Sequence, residues 1–388
     1  MRPMEVRIGV LFSTTGSYAA VGRAMRAGAL LAIDEINADP DRAVHLTPVE
    51  ADPGGISAAY AAAVQHLTRH EGLSHVVGCY TSSSRKEVLP LFEKADAMLW
   101  YPSHYEGFET AENVVYTGAA PNQHIVPLAR HLLARHGKRG WFVGSNYIWA
   151  WENNRILREA LTDAGGAVLG ERYFPVGETD LGALAEQIVA DRPDFVFTTL
   201  IGDSCYAFFR LLRAAAQAAG IDQAAQMPVA SCSLSEVELP FIGAGAAGGH
   251  LSSSVYFSTI RSAENDRFTA LWDARFGDMG RACADAEATY TAVHLLARAV
   301  AAAGGAGFAE VRAAVRGLQF PAPQGLVTVD PDNLHCCMRP RIGRSTEAGD
   351  FELLFEEASP IRPDPYLVRA TEAETAHTRM SAYLRLAP

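Results

Sequence analysis

The chain has 388 residues, of which 49% are hydrophobic and 20% are charged, and its formal net charge is −11. This composition supports large buried cores and excludes intrinsic disorder, while an acidic surface repels phosphate backbones and argues against direct binding to nucleic acid. The length favours two or three domains, and the sequence contains no apolar run long enough for membrane insertion.

The first part of the chain alternates short apolar runs with amphipathic stretches. VRIGVLF (Val6 to Phe12) is continuous and rich in β-branched residues, which predicts a strand buried on both faces, and SYAAVGRAMRAGALLAIDEIN after it predicts a helix. Further strands are predicted at LTPVEAD, HVVG and MLWYP, with helices at ISAAYAAAVQHLTRH and SSSRKEVLPLFEKA. This alternation predicts a parallel sheet covered by helices on both faces.

A second unit of the same kind follows. Its predicted strands are RGWFVGS, VLGERYFP, DFVFTTLIG and PVASCSLS, and its predicted helices are IVPLARHLLARHG, WENNRILREALTDAG, DLGALAEQIVAD and DSCYAFFRLLRAAAQAAG. The last third of the chain, with predicted strands at HLSSSVYFS, GLVTVD and FELLFEE, is too short for a third unit, so we expect it to complete both earlier ones, with several crossings between them. The proline-rich PIRPDPY near the C-terminus cannot pair in a central strand and is expected to wrap a surface.

Two such units create a cleft between the carboxyl ends of their sheets, where open α/β sheets bind ligands. The stretch GCYTSSSRKEVLPLF lies at one predicted strand end and carries Tyr80, Ser82, Ser83 and Ser84. A serine that caps the helix explains one hydroxyl group, but not three and a tyrosine. Hydroxyl groups and free helix N–H groups together offer donors and acceptors to a small polar ligand.

Aromatic and hydroxyl side chains recur at the other predicted strand ends. A chance pattern is the alternative, because loops are polar in any case; His104 also fits a surface residue, and Asp203 fits an N-cap of the helix that follows it. The residues at these ends are Trp100, Tyr101, Ser103, His104, Tyr105, Tyr147, Trp149, Trp151, Asp203, Ser204, Ser231, Ser233 and Glu236.

The sequence offers little support for an enzyme. It contains no P-loop, GxSxG or HExxH motif, and the GxGxxG match at residues 243–248 lacks the strand and helix that a dinucleotide site requires. Cys79 fits a structural cysteine better than a nucleophile, and the pattern His335-Cys336-Cys337 lacks a distant ligand pair for a metal ion. We therefore expect no catalysis, no cofactor and no metal. The six cysteines are scattered along the sequence, which is typical of proteins in a reducing compartment.

Several motifs in combination resemble a known family. GCYTSSSRKEVLP, YPSHYEGFE, VYTGAAPNQ, FVGSNYIW, and APQG followed by PIRPDPY are similar to the amide receptors of bacterial amidase operons (the AmiC family) and to the urea- and short-amide-binding proteins of ABC transporters. The resemblance implies a type I periplasmic-binding-protein fold, with two doubly wound parallel-sheet lobes joined by a three-crossover hinge. The implied N-terminal lobe comprises 1–121 plus 255–328, and the C-terminal lobe comprises 122–254 plus 329–388.

The resemblance also implies which residues hold the ligand in the cleft. It assigns contacts to Tyr80 and Ser82, to Tyr101 and Ser103, to Tyr147, and to Ser233. The chain departs from the amide-receptor pattern where Ser103-His104 replaces threonine-proline and where Trp149 replaces a tyrosine. LIGDS, with Asp203, is closer to the urea-binding proteins.

The function implied by the resemblance is a cytoplasmic sensor of a short aliphatic amide or urea-like ligand. Such a sensor binds an RNA-binding antiterminator and thereby regulates an amidase-type operon negatively, and it assembles as a homo-oligomer. The alternative is the substrate-binding protein of an ABC importer for urea or short amides. The N-terminus shows no secretory signal, which favours the cytoplasm, whereas a longer native N-terminus would favour the periplasm.

Overall fold

The computed structural model describes residues 2–368. The strands are β1 (Met4–Leu11), β2 (Val44–Ala51), β3 (His75–Gly78), β4 (Met98–Tyr101), β5 (Val114–Tyr116), β6 (Arg139–Ser145), β7 (Ala167–Phe174), β8 (Phe195–Thr199), β9 (Val229–Ser231), β10 (Leu251–Ser254), β11 (Gln319–Ala322), β12 (Gly325–Val329), β13 (Cys336–Cys337), β14 (Arg341–Ser345) and β15 (Phe351–Glu356). The helices are α1 (Ala19–Ala38), α2 (Ser57–Gln65), α3 (Ser82–Lys94), α4 (Ile125–Arg135), α5 (Ile148–Asp163), α6 (Gly182–Asp191), α7 (Asp203–Ala218), α8 (Gln223–Gln226), α9 (Leu239–Ile242), α10 (Ala263–Phe276), α11 (Ala284–Ala303) and α12 (Phe308–Ala314).

The first lobe is built on a parallel sheet in the order β2-β1-β3-β4-β5. Its central strands are short apolar runs, and Ile8, Val76 and Val77 are completely buried. Helix α1 covers the sheet and packs lengthwise against α11, which the chain contributes much later. The glycine at position 28 permits this close contact, because a Cβ atom there would lie 2.2 Å from the carbonyl oxygen of Ala286.

The second lobe is built on a sheet in the order β15-β14-β10-β9-β8-β6-β7. The strands from β10 to β7 are parallel, and β14 and β15 extend one edge in antiparallel orientation. Sequence periodicity predicts all of these strands except β14, whose sequence RIGRS is too polar to indicate one. The predicted α/β fold with two parallel-sheet lobes is therefore confirmed, with an antiparallel edge as an addition.

The chain passes three times between the lobes. It leaves the first sheet after β5 and returns after β10, where α10 and α11 pack on α1. It passes back to the second sheet at β14, after the small antiparallel sheet β11-β12-β13. The residue-level lobe boundaries given above stay a prediction, and residues 369–388, assigned there to the C-terminal lobe, lie outside the described part of the chain.

The proline-rich segment PIRPDPY lies against loops of the first lobe and of the crossovers. Ile361 pairs with Met338, and the carbonyl oxygen of Pro365 accepts a hydrogen bond from the N–H of Phe108 at 2.8 Å. Among residues 2–368 no single helix has the length and apolarity to span a membrane; α11 and α12 meet that requirement only as a pair, and the chain bends by 106° between them.

Candidate ligand-binding site

A small cavity lies between the lobes, at the carboxyl ends of the two sheets. The centre of a water-sized sphere can reach a volume of only about 10 Å³ in it. The total space not filled by atoms is about 190 Å³. By the first measure the closed cleft has room for about one water-sized group. Its walls are formed by Tyr80, Ser82, Ser103, His104, Tyr147, Trp149 and Ile201.

The turn from β3 into α3 supplies one wall. Cys79 has a φ of 67° there, a conformation that side chains other than glycine rarely adopt, and its thiol is completely buried in the core behind the site. Burial raises the pKa of this thiol to about 12, so it is a poor source of thiolate. Tyr80, the next residue, lines the cavity, and its carbonyl oxygen accepts a hydrogen bond from the hydroxyl of Tyr101 at 2.9 Å.

Helix α3 is capped by Thr81 and not by a serine. The Oγ1 of Thr81 accepts a hydrogen bond from the N–H of Ser84 at 3.1 Å. Ser82 is therefore the first residue within the helix, and it lines the cavity while its hydroxyl donates to the carboxylate of Glu106. The hydroxyl of Ser84 donates to the carbonyl oxygen of Thr81 at 2.7 Å, so the three serines do not share one role.

A buried ion-pair network supports this wall from behind. Arg85 is completely buried, and its guanidinium lies 3.1 Å from Glu106 and 2.8 Å from Glu109. The same guanidinium lies over the rings of Tyr101 and Tyr105, at 4.8 and 4.7 Å from their centroids. Sequence analysis missed this network, although its arginine and glutamates lie inside the quoted motifs SSSRKE and YEGFE.

Ser103 and His104 follow β4 and form the next wall. Gly118 lies directly against them, since a Cβ atom there would lie 2.0 Å from the carbonyl group of Ser103. Burial, followed by the nearby His124, lowers the pKa of His104 to about 3, so its ring is neutral and presents one donor and one acceptor nitrogen. Its Nδ1 lies 4.0 Å from the Oδ1 of Asp285 at the start of α11.

The second lobe contributes the opposite wall at the start of α5. Tyr147 occupies the N-cap position, and its ring stacks on Trp149 with the centroids 6.2 Å apart. Trp149 is only 3% exposed, and its indole N–H finds no hydrogen-bond partner among residues 2–368. Because a buried unpaired donor costs roughly 1–3 kcal/mol, this group is poised to donate to a bound acceptor.

Ile201, after β8, is a wall residue that sequence analysis missed. Its side chain is 2% exposed, and its N–H donates to the hydroxyl of Ser145 at 3.2 Å. In the sequence, Ile201 cannot be told apart from the last apolar residue of a buried strand. Only the structure shows that it lies beyond the end of β8.

Three of the predicted ligand-binding residues do not line the cavity. Tyr101 lies behind it in the core of the first lobe, since its hydroxyl bonds to the main chain of Tyr80. Ser233 is nearly buried and pairs with the hydroxyl of Ser231 at 3.1 Å. Asp203 is exposed at the start of α7.

Asp203 instead takes part in a contact between the lobes. Its main-chain N–H donates to the carbonyl oxygen of Ser17, in the loop between β1 and α1, at 3.1 Å. Gly202 before it has a φ of 59°, and a Cβ atom at that position would lie 2.0 Å from the same oxygen. The main chains of the two lobes therefore touch at the rim of the cleft.

Three buried carboxyl groups meet near the cavity from both lobes. Burial is the main reason why the pKa values rise to about 7 for Glu236, about 8 for Glu238 and about 7 for Asp285, and the charge of Asp285 raises that of Glu238 further. Burial and then the charges of Asp285 and Glu238 also raise the pKa of Tyr80 well above its usual value. Tyr80 therefore keeps its proton, and its hydroxyl group can serve as a donor or as an acceptor.

Comparison with known proteins places most of the chain in one family. The family model described as periplasmic binding protein domain matches residues 6–372. The Leu/Ile/Val-binding protein homolog 6 of Brucella abortus (strain 2308) is 24% identical over 339 residues, which are 85% of either chain. The protein of the same name from Brucella suis biovar 1 is 24% identical over 337 residues, with the same coverage.

Solved structures agree on the fold. The solute-binding protein of an ABC transporter from R. palustris, in complex with 4-hydroxybenzoate, superposes with a TM-score of 0.82 at 22% identity, over 94% of this chain and 100% of that one. A branched-chain amino acid transporter substrate-binding protein from Streptococcus pneumoniae, in complex with isoleucine, superposes with a TM-score of 0.78 at 21% identity. The superposition covers 92% of this chain and 100% of that one. The chain therefore belongs to the periplasmic binding protein domain family, and its two parallel-sheet lobes have the type I fold.

Proposed function

We propose that this chain is the solute receptor of a transport system and that it closes its lobes on a small neutral amide or urea-like molecule. The observation that carries the proposal is the character of the cavity wall. Its hydroxyl groups, its indole N–H and its neutral imidazole are all uncharged at neutral pH, and they include both donors and acceptors. An anionic solute would lose its hydration there without gaining a counter-charge on the wall.

Size restricts the solute further. The closed cleft has room for about one water-sized group, so a solute of about four heavy atoms enters with the lobes slightly further apart. A hydroxybenzoate or a branched-chain amino acid would require a wider opening of the lobes. Because the best small ligands gain at most about 1.5 kcal/mol per heavy atom, a four-atom solute gains roughly 6 kcal/mol, which corresponds to a Kd of tens of micromolar.

The unpaired groups of the wall fit an amide. A carbonyl oxygen would accept from the indole N–H of Trp149, which otherwise stays unsatisfied. The amide N–H groups would donate to the acceptor nitrogen of His104 and to the hydroxyl oxygen of Tyr147 or Ser103. Contacts made by both lobes with one solute favour the closed state, and this couples binding to a change of shape.

The transport role has more support than the regulatory role. The solved structures bear the names of binding proteins of an ABC transporter and of a branched-chain amino acid transporter, and the curated relatives bear the name Leu/Ile/Val-binding protein homolog 6. An amide sensor that controls an antiterminator rests on the motif resemblance alone, and with it the cytoplasmic location and the homo-oligomer. Fractionation of cells that express the native gene separates the two roles, because a transport receptor acts outside the cytoplasmic membrane.

Calorimetry with the purified chain tests the ligand class. Urea, formamide, acetamide and propionamide are titrated in turn, with acetate, leucine and 4-hydroxybenzoate as the reference set. We expect saturable heat for at least one neutral amide or urea and none for the reference set. Binding of leucine or 4-hydroxybenzoate, with no heat from any amide or urea, would refute the proposal.

A further inference from the structure

A second, much larger groove lies on the outer surface of the second lobe. It runs between α4 and the antiparallel edge strands β14 and β15, and it shares no residue with the cleft site. Its volume is about 780 Å³, by the measure that gives about 10 Å³ for the cleft cavity. This is within the range of small-molecule binding sites.

The charge of the groove is opposite to that of the whole chain. Its basic residues are Arg130, His131, Arg135, His136 and Arg344, and Glu357 is the acidic residue among those that line it. Arg344 also lies 3.3 Å from Glu352, in an ion pair whose two side chains are about half exposed, so this pair neutralises it weakly. A concave surface lined by arginines concentrates positive potential and attracts anions.

The positive charges of the groove also affect the pKa values of its two histidines. The pKa of His131 is lowered to about 4, mainly by burial and further by the charges of His136, Arg135 and Arg344. Burial and Arg344 also lower the pKa of His136. At neutral pH the positive charge of the groove therefore comes from the arginines, whose planar guanidinium groups bind carboxylates in a bidentate manner.

The other component of the groove is apolar. Phe355 is 38% exposed on the edge strand β15, and Leu354 beside it is half-buried. Ile342 of β14 and Leu251 of β10 border the groove from beneath and are almost completely buried, at 1% and 2% exposure. An exposed apolar surface bordered by polar groups is typical of an interaction site.

We propose that this groove binds a small organic carboxylate with an apolar body, as a second site independent of the cleft. The carboxylate pairs with Arg135 and Arg344, and the body lies on Leu354 and Phe355. A free inorganic anion would leave the apolar part unused.

The test uses benzoate as the probe and benzyl alcohol as its neutral counterpart, with the full chain at low ionic strength. We expect saturable benzoate binding by calorimetry and ligand-observed NMR, and at least tenfold weaker binding of benzyl alcohol. The double variant R135A/R344A is expected to lose benzoate affinity at least tenfold, while its Tm and its binding of urea or acetamide stay unchanged. Arg312→Ala, which removes an exposed arginine of the first lobe, is the matched control and keeps full affinity.

Four outcomes overturn the proposal. They are unchanged benzoate affinity in the double variant, equal binding of benzyl alcohol, displacement of benzoate by urea or acetamide, which would place it in the cleft, and the absence of saturable benzoate binding. A synthetic peptide of residues 369–388 that occupies the groove in place of benzoate would also overturn it, and would identify the C-terminal segment as the occupant.

Discussion

The rings of His104 and Trp149 meet edge to face across the cleft, with their centroids 5.3 Å apart and their planes at 69°. His104 follows β4 of the first lobe, and Trp149 lies in the first turn of α5 of the second lobe. The contact therefore exists only while the lobes are closed. Both side chains are neutral, and both stand where the chain departs from the amide-receptor pattern that its motifs resemble.

Replacement of Trp149 by phenylalanine should weaken binding of the best amide or urea about tenfold. The variant keeps a six-membered aromatic ring but removes the pyrrole ring with its N–H, which lacks a partner among residues 2–368. Its stability should change little, because the loss of a buried unpaired donor offsets the cost of the cavity that the smaller side chain leaves. Calorimetry and thermal unfolding measure the two effects.

The matched control is Trp151→Phe. Trp151 lies on the same helix but is 45% exposed, and its N–H donates to Asn146 at 3.1 Å. Unchanged affinity in W149F, or an equal loss in W151F, would show that the indole N–H does not contact the solute.

Substitution of Arg85 by methionine should lower the free energy of unfolding by about 3–5 kcal/mol. The change leaves Glu106 buried and Glu109 largely buried, with the partly exposed Lys86, 3.6 and 2.9 Å from their carboxylates, as the remaining counter-charge. Urea unfolding measures the loss, unless urea proves to be the ligand, in which case guanidinium chloride replaces it.

Two further variants isolate the cause. Glu106→Gln in the R85M background should recover part of the stability, because it removes one of the stranded charges. Arg312→Ala breaks an exposed ion pair with Glu112 and should cost less than about 1 kcal/mol. Equal losses for R85M and R312A would contradict the role of burial.

Glu238→Gln should become progressively more stable than the wild type as the pH rises from about 5 to 8. Burial raises the pKa of Glu238 to about 8, so the folded protein holds this proton after the unfolded chain has released it. The free energy of unfolding of the wild type therefore falls with rising pH in this window, by up to about 1.4 kcal/mol per pH unit. Glutamine has no proton to lose.

Unfolding curves of both proteins at several pH values give the difference directly. Glu352→Gln, on the exposed edge strand, corrects for the loss of one negative charge from an acidic chain. A constant difference between E238Q and the wild type from pH 5 to 8 would contradict the prediction.

Cys79 should resist alkylation in the native protein at pH 8. Its thiol is completely buried, and burial raises its pKa to about 12. Cys337 is half-buried and serves as the internal reference. Mass mapping after treatment with iodoacetamide should find Cys337 modified long before Cys79, and the reverse order would revive Cys79 as a candidate nucleophile.

Sequence periodicity predicts the fold well because the central strands are short, apolar and separated by helices. HVVG and RGWFVGS coincide with β3 and β6 residue for residue. The edge strand β14 escapes detection because Ile342 is its one large apolar residue among arginine, glycine and serine, and its pairing with β10 is decided by tertiary contacts.

The site is predictable only in part. Tyr80 and Tyr147 reach one cavity because both follow parallel strands whose ends face each other. The positive φ of Cys79 has no signature in the sequence, and neither has the use of the Tyr101 hydroxyl by the main chain of Tyr80. The buried partners of Arg85 lie more than twenty residues further along the chain, a separation at which residue patterns carry no information on pairing.

The contact between Ser17 and Asp203 has a consequence for how binding proteins of this shape diversify. It is a hydrogen bond between two main-chain peptide groups, so it does not depend on the side chains that line the cavity. The same contact can therefore form whichever side chains line the cavity. A side chain at position 202 would collide with the carbonyl group of Ser17 and prevent this contact. We therefore expect glycine at this position also in relatives whose cavity walls differ.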